Sequence, residues 1–218
     1  MVDRRRVWGV IARWTTELAV VFVGVYGAFA LAEWEESRER ERRAEMVRAA
    51  LAEEIAGIID NTGRVAVNMP PQLAMRDSLV ARGQMPRLNP MLEPILVDTH
   101  IWQSTIAGGG IELLDVETFY RLSEFYNLLN AGFVRLEQLR RLSEQMLLPR
   151  LDAPIEEFYR SDPVALRPQY DWYMRGFREV SIIARCVTVR GEALLENLGA
   201  PVSEPSGLSG EDCENWTG

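Results

Sequence analysis

From Leu18 to Ala32 the chain carries no charged or strongly polar side chain, and Trp14 and Trp34 stand at the ends of the 21-residue window containing this run. As a helix rising 1.5 Å per residue, that window reaches roughly 30 Å, the thickness of a bilayer's hydrocarbon core. A helix that is apolar all round must be dissolved in lipid or enclosed by protein. The 218 residues provide one modest core, too little to enclose it. The sequence therefore predicts a transmembrane helix over 14–34, with Trp14 and Trp34 as interfacial anchors. Glu17 lies one turn inside the window, where the positive helix end and the headgroups tolerate a carboxylate. A cleavable leader would also begin with arginines and end on small residues such as Ala30-Leu31-Ala32. Glu17, and the helix-favouring sequence that continues without Gly or Pro past Ala32, speak against that reading.

Arginines flank the window on both sides: Arg4, Arg5, Arg6 and Arg13 before it, Arg38, Arg40, Arg42, Arg43 and Arg48 after it. Counting them does not orient the span. A short arginine-rich tail is harder to translocate than a long folded segment, so the N-terminus is expected inside and the bulk outside. Steps of seven and four residues put Glu17, Gly24, Ala28 and Ala32 on one stripe of the helix. Small residues there would admit a neighbouring helix, and the carboxylate could bond across the contact. The expected partners are thus the lipid bilayer and, through this stripe, a second copy or another membrane protein.

The spacing of Glu17, Gly24, Ala28, Trp34 and Glu36, followed by a mixed-charge run, resembles the anchor of a bacterial family of short single-pass membrane proteins known only as a domain of unknown function. Thr16 stands where that family has glycine, and Ala32 and Glu33 where it often has asparagine. A looser echo at Trp102, Gly110, Leu113, Leu114, Phe119, Tyr120, Phe125 and Tyr126 resembles its second block. The resemblance implies a bacterial single-pass membrane protein whose span leads into a long charged helix, and it assigns no catalytic residue. With the arginine distribution, the expected location is the inner membrane with the bulk periplasmic.

Beyond Trp34, Glu36 with Arg40 and Glu39 with Arg43 have the favourable i,i+4 spacing, which predicts a stalk helix. From Val47 through Leu51, Ile55, Ile58, Thr62 and Val65 the apolar period is helical, so the stalk enters a bundle before Pro70 and Pro71 stop it. A short helix is expected over Gln72–Arg82. An irregular stretch punctuated by Pro86, Pro90 and Pro94 follows, then a helix from about Asp98 to the glycines at 108–110. Asp115 is a fitting N-cap for a helix carrying Leu122, Tyr126, Leu129, Phe133, Leu136 and Leu139 up to Pro149. A last helix repeats Tyr170, Tyr173, Phe177, Val180, Ala184, Val187, Gly191 and Leu194 every three or four residues. No strand alternation stands out. The expected fold is all-α: a basic tail over 1–13, the transmembrane helix over 14–34, a stalk helix over 35–69, an antiparallel helical bundle over 70–198, and a disordered acidic tail over 199–218.

The chemistry is sparse. The net charge of -8 excludes the basic stripe that nucleic acid requires. All 24 basic residues are arginine, which removes lysine-dependent chemistry. His100 is the only histidine, so sites needing several imidazoles are excluded, while carboxylate-bound metals remain open. Cys186 on an apolar stripe and Cys213 in a polar tail indicate no disulfide framework. Asp98 and His100, two residues apart on a helix, should point away from each other. Glu53 and Glu54, like Glu156 and Glu157, read as hydrated surface pairs. His100, Trp102, Tyr170 and Tyr173 are candidates for a pocket, though aromatics at helical spacing more often fill a core. No cofactor is expected. A non-enzymatic scaffold, sensor or accessory module is the leading reading, with a membrane-tethered carboxylate-dependent enzyme as the alternative.

Overall fold

The computed structural model describes residues 4–91, 98–202 and 205–213, with side chains from Val21 onward apart from that of Asp212. The fold is all-α in its main elements: α1 (Arg4–Ala81), α2 (His100–Ala107), α3 (Val116–Leu142) and α4 (Asp171–Asn197). The chain divides into two compact units, Met1–Val47 and Arg48–Gly218.

In the first unit Glu36–Arg40 and Glu39–Arg43 form their ion pairs, and the Arg38 guanidinium lies 4.5 Å from the Trp34 ring centroid. Val21, Phe22, Val23, Val25, Tyr26, Phe29, Leu31 and Trp34 are all 50–78 % exposed. Successive residues project about 100° apart, so these side chains present apolar surface on every side of the helix. Among the described residues no helix is long and apolar enough to cross a membrane. The side chains of Trp14 and Glu17, which belong to the expected span, lie outside the described set.

In the second unit α4 is the central strut. Its partner α1 runs antiparallel to it: Thr62 meets Thr188 through a 2.9 Å hydroxyl bond, and Asp77 accepts two bonds from Arg178 at 2.8 and 2.9 Å. Helix α3 is antiparallel to α4 as well, from Thr118 bonded to Asn197 at one end to Leu139 against Gly176 at the other. The three helices converge on Gly191, where an added Cβ would lie 2.8 Å from Ile59 and 3.0 Å from Phe125. Leu51, Ile55 and Ile58 of α1, Leu122, Phe125 and Leu129 of α3, and Val187 and Leu194 of α4 are buried, each set repeating with helical period. Asp115 caps α3 as its sequence position predicts, accepting the Thr118 N–H at 2.9 Å.

Several expectations need correction. Pro70 and Pro71 do not stop α1, which continues to Ala81. Each proline removes one helical N–H donor, but Thr62 before them and Asp77 after them are both bonded to α4, which holds the two halves like a splint. The helix ends where Gly83 turns into the left-handed region, φ 77°. A strand pair also exists: β1 (Tyr159–Ser161) and β2 (Val164–Leu166) form an antiparallel hairpin around a cis Asp162–Pro163 bond. Three residues are too few for an alternation to register in sequence. The hairpin's Tyr159 joins Leu88, Leu147, Phe158, Tyr170 and Tyr173 in a second aromatic cluster. Helix α3 passes through a widened turn, Ser143–Leu147, before Pro149.

The acidic tail is not disordered over its described part. Gly199 closes α4 in the left-handed conformation, with the Ala200 N–H bonded to the Leu195 carbonyl at 2.9 Å. The chain then returns along α4 to a short turn at Glu211–Cys213, and Cys213 is disulfide-bonded to Cys186. The expectation of two unlinked cysteines fails because a return of the tail along α4 cannot be seen from their local settings.

Candidate functional site

The N–H groups in the first turn of short helix α2 have no partner within the helix, and its own cap residue, Thr99, offers them no side-chain acceptor. The carboxylate comes instead from α1. Glu54 Oε2 accepts the Ile101 N–H at 2.7 Å, and Oε1 accepts the Trp102 N–H at 3.2 Å and the Tyr126 hydroxyl at 2.5 Å. A negative charge at a helix N-terminus is stabilised by the aligned peptide dipoles. The Tyr126 hydroxyl is pushed far above its ordinary range, by burial first and then by the Glu54 carboxylate it donates to. Its ring stacks on Trp102 with centroids 4.8 Å apart and planes 2° from parallel. Glu54 is therefore a cap joining α1, α2 and α3, not the hydrated surface acid expected from its place beside Glu53.

Asp98 precedes α2, so the divergence of residues two apart on a helix does not apply to it. Its Oδ1 accepts the His100 N–H at 3.2 Å and pairs with the ring Nδ1 of the same residue, correcting the expectation that the two point apart. Both side chains are exposed. The hydrogen bond to the Asp98 carboxylate, then its charge, raise the His100 pKa above the ordinary 6.5. The hydrogen bonds with His100 lower that of Asp98.

Glu54, Asp98 and His100 line one open cleft of about 480 Å³, together with Glu53, Gly57 and Asn61. Their ligand atoms lie within 4.8 Å of one another, which makes them the set of described residues able to approach a metal cation together. Three donors already occupy the Glu54 oxygens, so a cation would compete with the cap of α2. As an acid–base constellation the cleft is also restrained: Asp98 and His100 are hydrated, whereas catalytic carboxylates are commonly desolvated.

The four pocket candidates are not brought together. His100 lines the cleft, while Trp102 is buried against Tyr126 and Phe119. Tyr170 and Tyr173 belong to the second cluster. Tyr170 accepts a 2.7 Å bond from Arg150, and the Tyr173 hydroxyl donates to the Asn89 carbonyl at 3.0 Å. On the expected membrane-helix stripe Gly24, Ala28 and Ala32 are exposed, and a Cβ built on Gly24 would meet nothing within 4 Å apart from its chain neighbours and its own helix's backbone. Pro94 and the side chain of Glu17 lie outside the described residues. Sequence reasoning missed Glu54 and the cysteine pair. The cysteines left one signal, their even number.

No protein-family model matches the sequence, and no curated protein or solved structure matches it.

Proposed function

We propose that the chain is a membrane-tethered, non-enzymatic module: a transmembrane helix over 14–34 anchors a helical domain that engages a partner as scaffold, sensor or accessory subunit. The observation that carries the reading is the all-round apolar surface of Val21–Trp34. Water is a poor solvent for such a cylinder, and a bilayer's hydrocarbon core is one that accommodates it on every side. The match of Trp14 and Trp34 to an interfacial belt supports the same reading.

In this proposal the N-terminus lies inside and the bulk outside, at the bacterial inner membrane. The Cys186–Cys213 bond supports that orientation, because disulfides persist in oxidising compartments and are rare in reducing ones. Partner recognition within the bilayer falls to Glu17, Gly24, Ala28 and Ala32. The alternative of a carboxylate-dependent enzyme draws on the cleft at Glu54, Asp98 and His100, but is weakened by the engagement of Glu54 in capping α2.

Carbonate extraction of membrane vesicles carrying the full chain tests the tether. The protein is expected to stay in the pellet at its full mass. Release into the supernatant as an intact, uncleaved chain would overturn the proposal.

A further inference from the structure

Helix α4 meets α1 through Thr188 and Gly191 and α3 through Gly176 and Ile183. Cys186 lies roughly 160° around the helix from Thr188, on the side turned away from that contact with α1. What covers it is the C-terminal segment. The Ser206 N–H donates to Glu192 at 2.7 Å, the Cys213 carbonyl accepts from Arg190 at 3.3 Å, and a Cβ built on Gly210 would stand 3.3 Å from Val189. Under this cover Cys186 is 1 % and Cys213 5 % exposed. The segment thus lies along α4 with a covalent bond where a packed helix would have an apolar stripe.

That substitution has a physical consequence. Residues 199–213 include Pro201, Pro205, Gly207 and Gly210 and few apolar side chains, and a chain of this composition cannot offset the entropy of its own ordering by burial. Apart from the bond, the contacts named above are two polar ones and the approach of Gly210 to Val189. The three-helix core, in contrast, makes its contacts on the other faces of α4.

We propose that residues 205–213 form a redox-locked strap, closed over α4 while Cys186 and Cys213 are joined and released when both are thiols. Closure is a thiol–disulfide exchange. A Cys thiolate attacks the disulfide of an oxidising thiol–disulfide oxidoreductase, and the second thiolate displaces that protein from the mixed disulfide. The two cysteines lose two electrons and two protons in all, and the oxidoreductase leaves as its dithiol. The domain is completed only in a compartment that holds such an oxidant. The inference does not rest on the membrane reading, and its test on detergent-purified full-length protein can fail while carbonate extraction succeeds, or the reverse.

The experiment is hydrogen exchange on protein expressed to an oxidising compartment, with thiols counted by maleimide labelling after denaturation. No free thiol is expected before treatment and two after dithiothreitol, which leaves as its cyclic disulfide. Reduction should accelerate exchange in 205–213 by about tenfold or more, while α3 and α4 change by less than about twofold. If the buried bond resists the reagent, C213S carries the comparison with the same expected pattern. Two free thiols in the untreated protein would overturn the proposal, as would an equally protected strap after reduction. So would loss of the whole core on reduction or in C213S, since the bond would then staple the entire domain.

Discussion

The apolar residues of α1 between Val21 and Leu31 and those of α4 between Tyr173 and Leu195 are both arranged on long helices, yet they meet opposite fates. The first set is at least half exposed, and Tyr173, Val180, Ile183, Val187, Leu194 and Leu195 of the second are at most 5 % exposed. The difference is angular. Apolar positions on α4 alternate with Arg175, Arg178 and Glu192 and leave a defined set of faces for α1, α3 and the strap. On α1 consecutive apolar residues point in all directions, so no single face of the helix gathers them. A stripe calls for a protein partner on one side, and a full cylinder calls for enclosure on every side, by protein or by lipid.

The comparison breaks most decisively if the two regions prove coupled. Ile55→Ala, at a site with no exposure, is expected to destabilise the domain by about 2–5 kcal/mol in chemical denaturation, with carbonate partitioning unchanged. Val25→Arg should do the reverse, costing about 2.5–3.5 kcal/mol of insertion while leaving the domain's denaturation midpoint in place. A shared response to either substitution would mean that the apolar cylinder belongs to the core after all. A smaller effect sharpens the α4 side. Gly191→Ala places a methyl group against Ile59 and Phe125, and overpacking of this kind should lower stability by about 1–3 kcal/mol, visible as a fall in Tm. No change in Tm would show that the three-helix junction has room to spare.

The smallest effect concerns the cleft. Because Asp98 raises the His100 pKa, the pair's stabilisation is fully present below the ordinary imidazole value and is lost as pH rises through the folded one. NMR titration should place His100 above 6.5, and Asp98→Asn should bring it back toward that value. An unchanged titration in the variant would remove Asp98 as the cause.

How much of this was legible along the chain depended on the range of the interaction. Asp115 could be recognised as a cap because its partner, Thr118, is three residues away. Glu54 could not, because the N–H groups it caps belong to residues 101 and 102 and the hydroxyl it binds to residue 126. Pro70 and Pro71 carry a correct local message, two lost helical bonds, that contacts to α4 on either side overrule. Asp98 and His100 were misjudged by a single assumption, that both lie within α2, whereas the helix begins at His100.

The amino-acid sequence alone determined the helical class, the positions of α3 and α4 and the apolar cylinder near the N-terminus, since periodicity and local capping act over a few residues. Tertiary structure decided where α1 ends, which carboxylate closes α2, and that Cys213 meets Cys186. Those outcomes depend on groups between 47 and 126 residues apart becoming neighbours, or, for the cysteines, on a tail whose composition contains no preference for the face it covers.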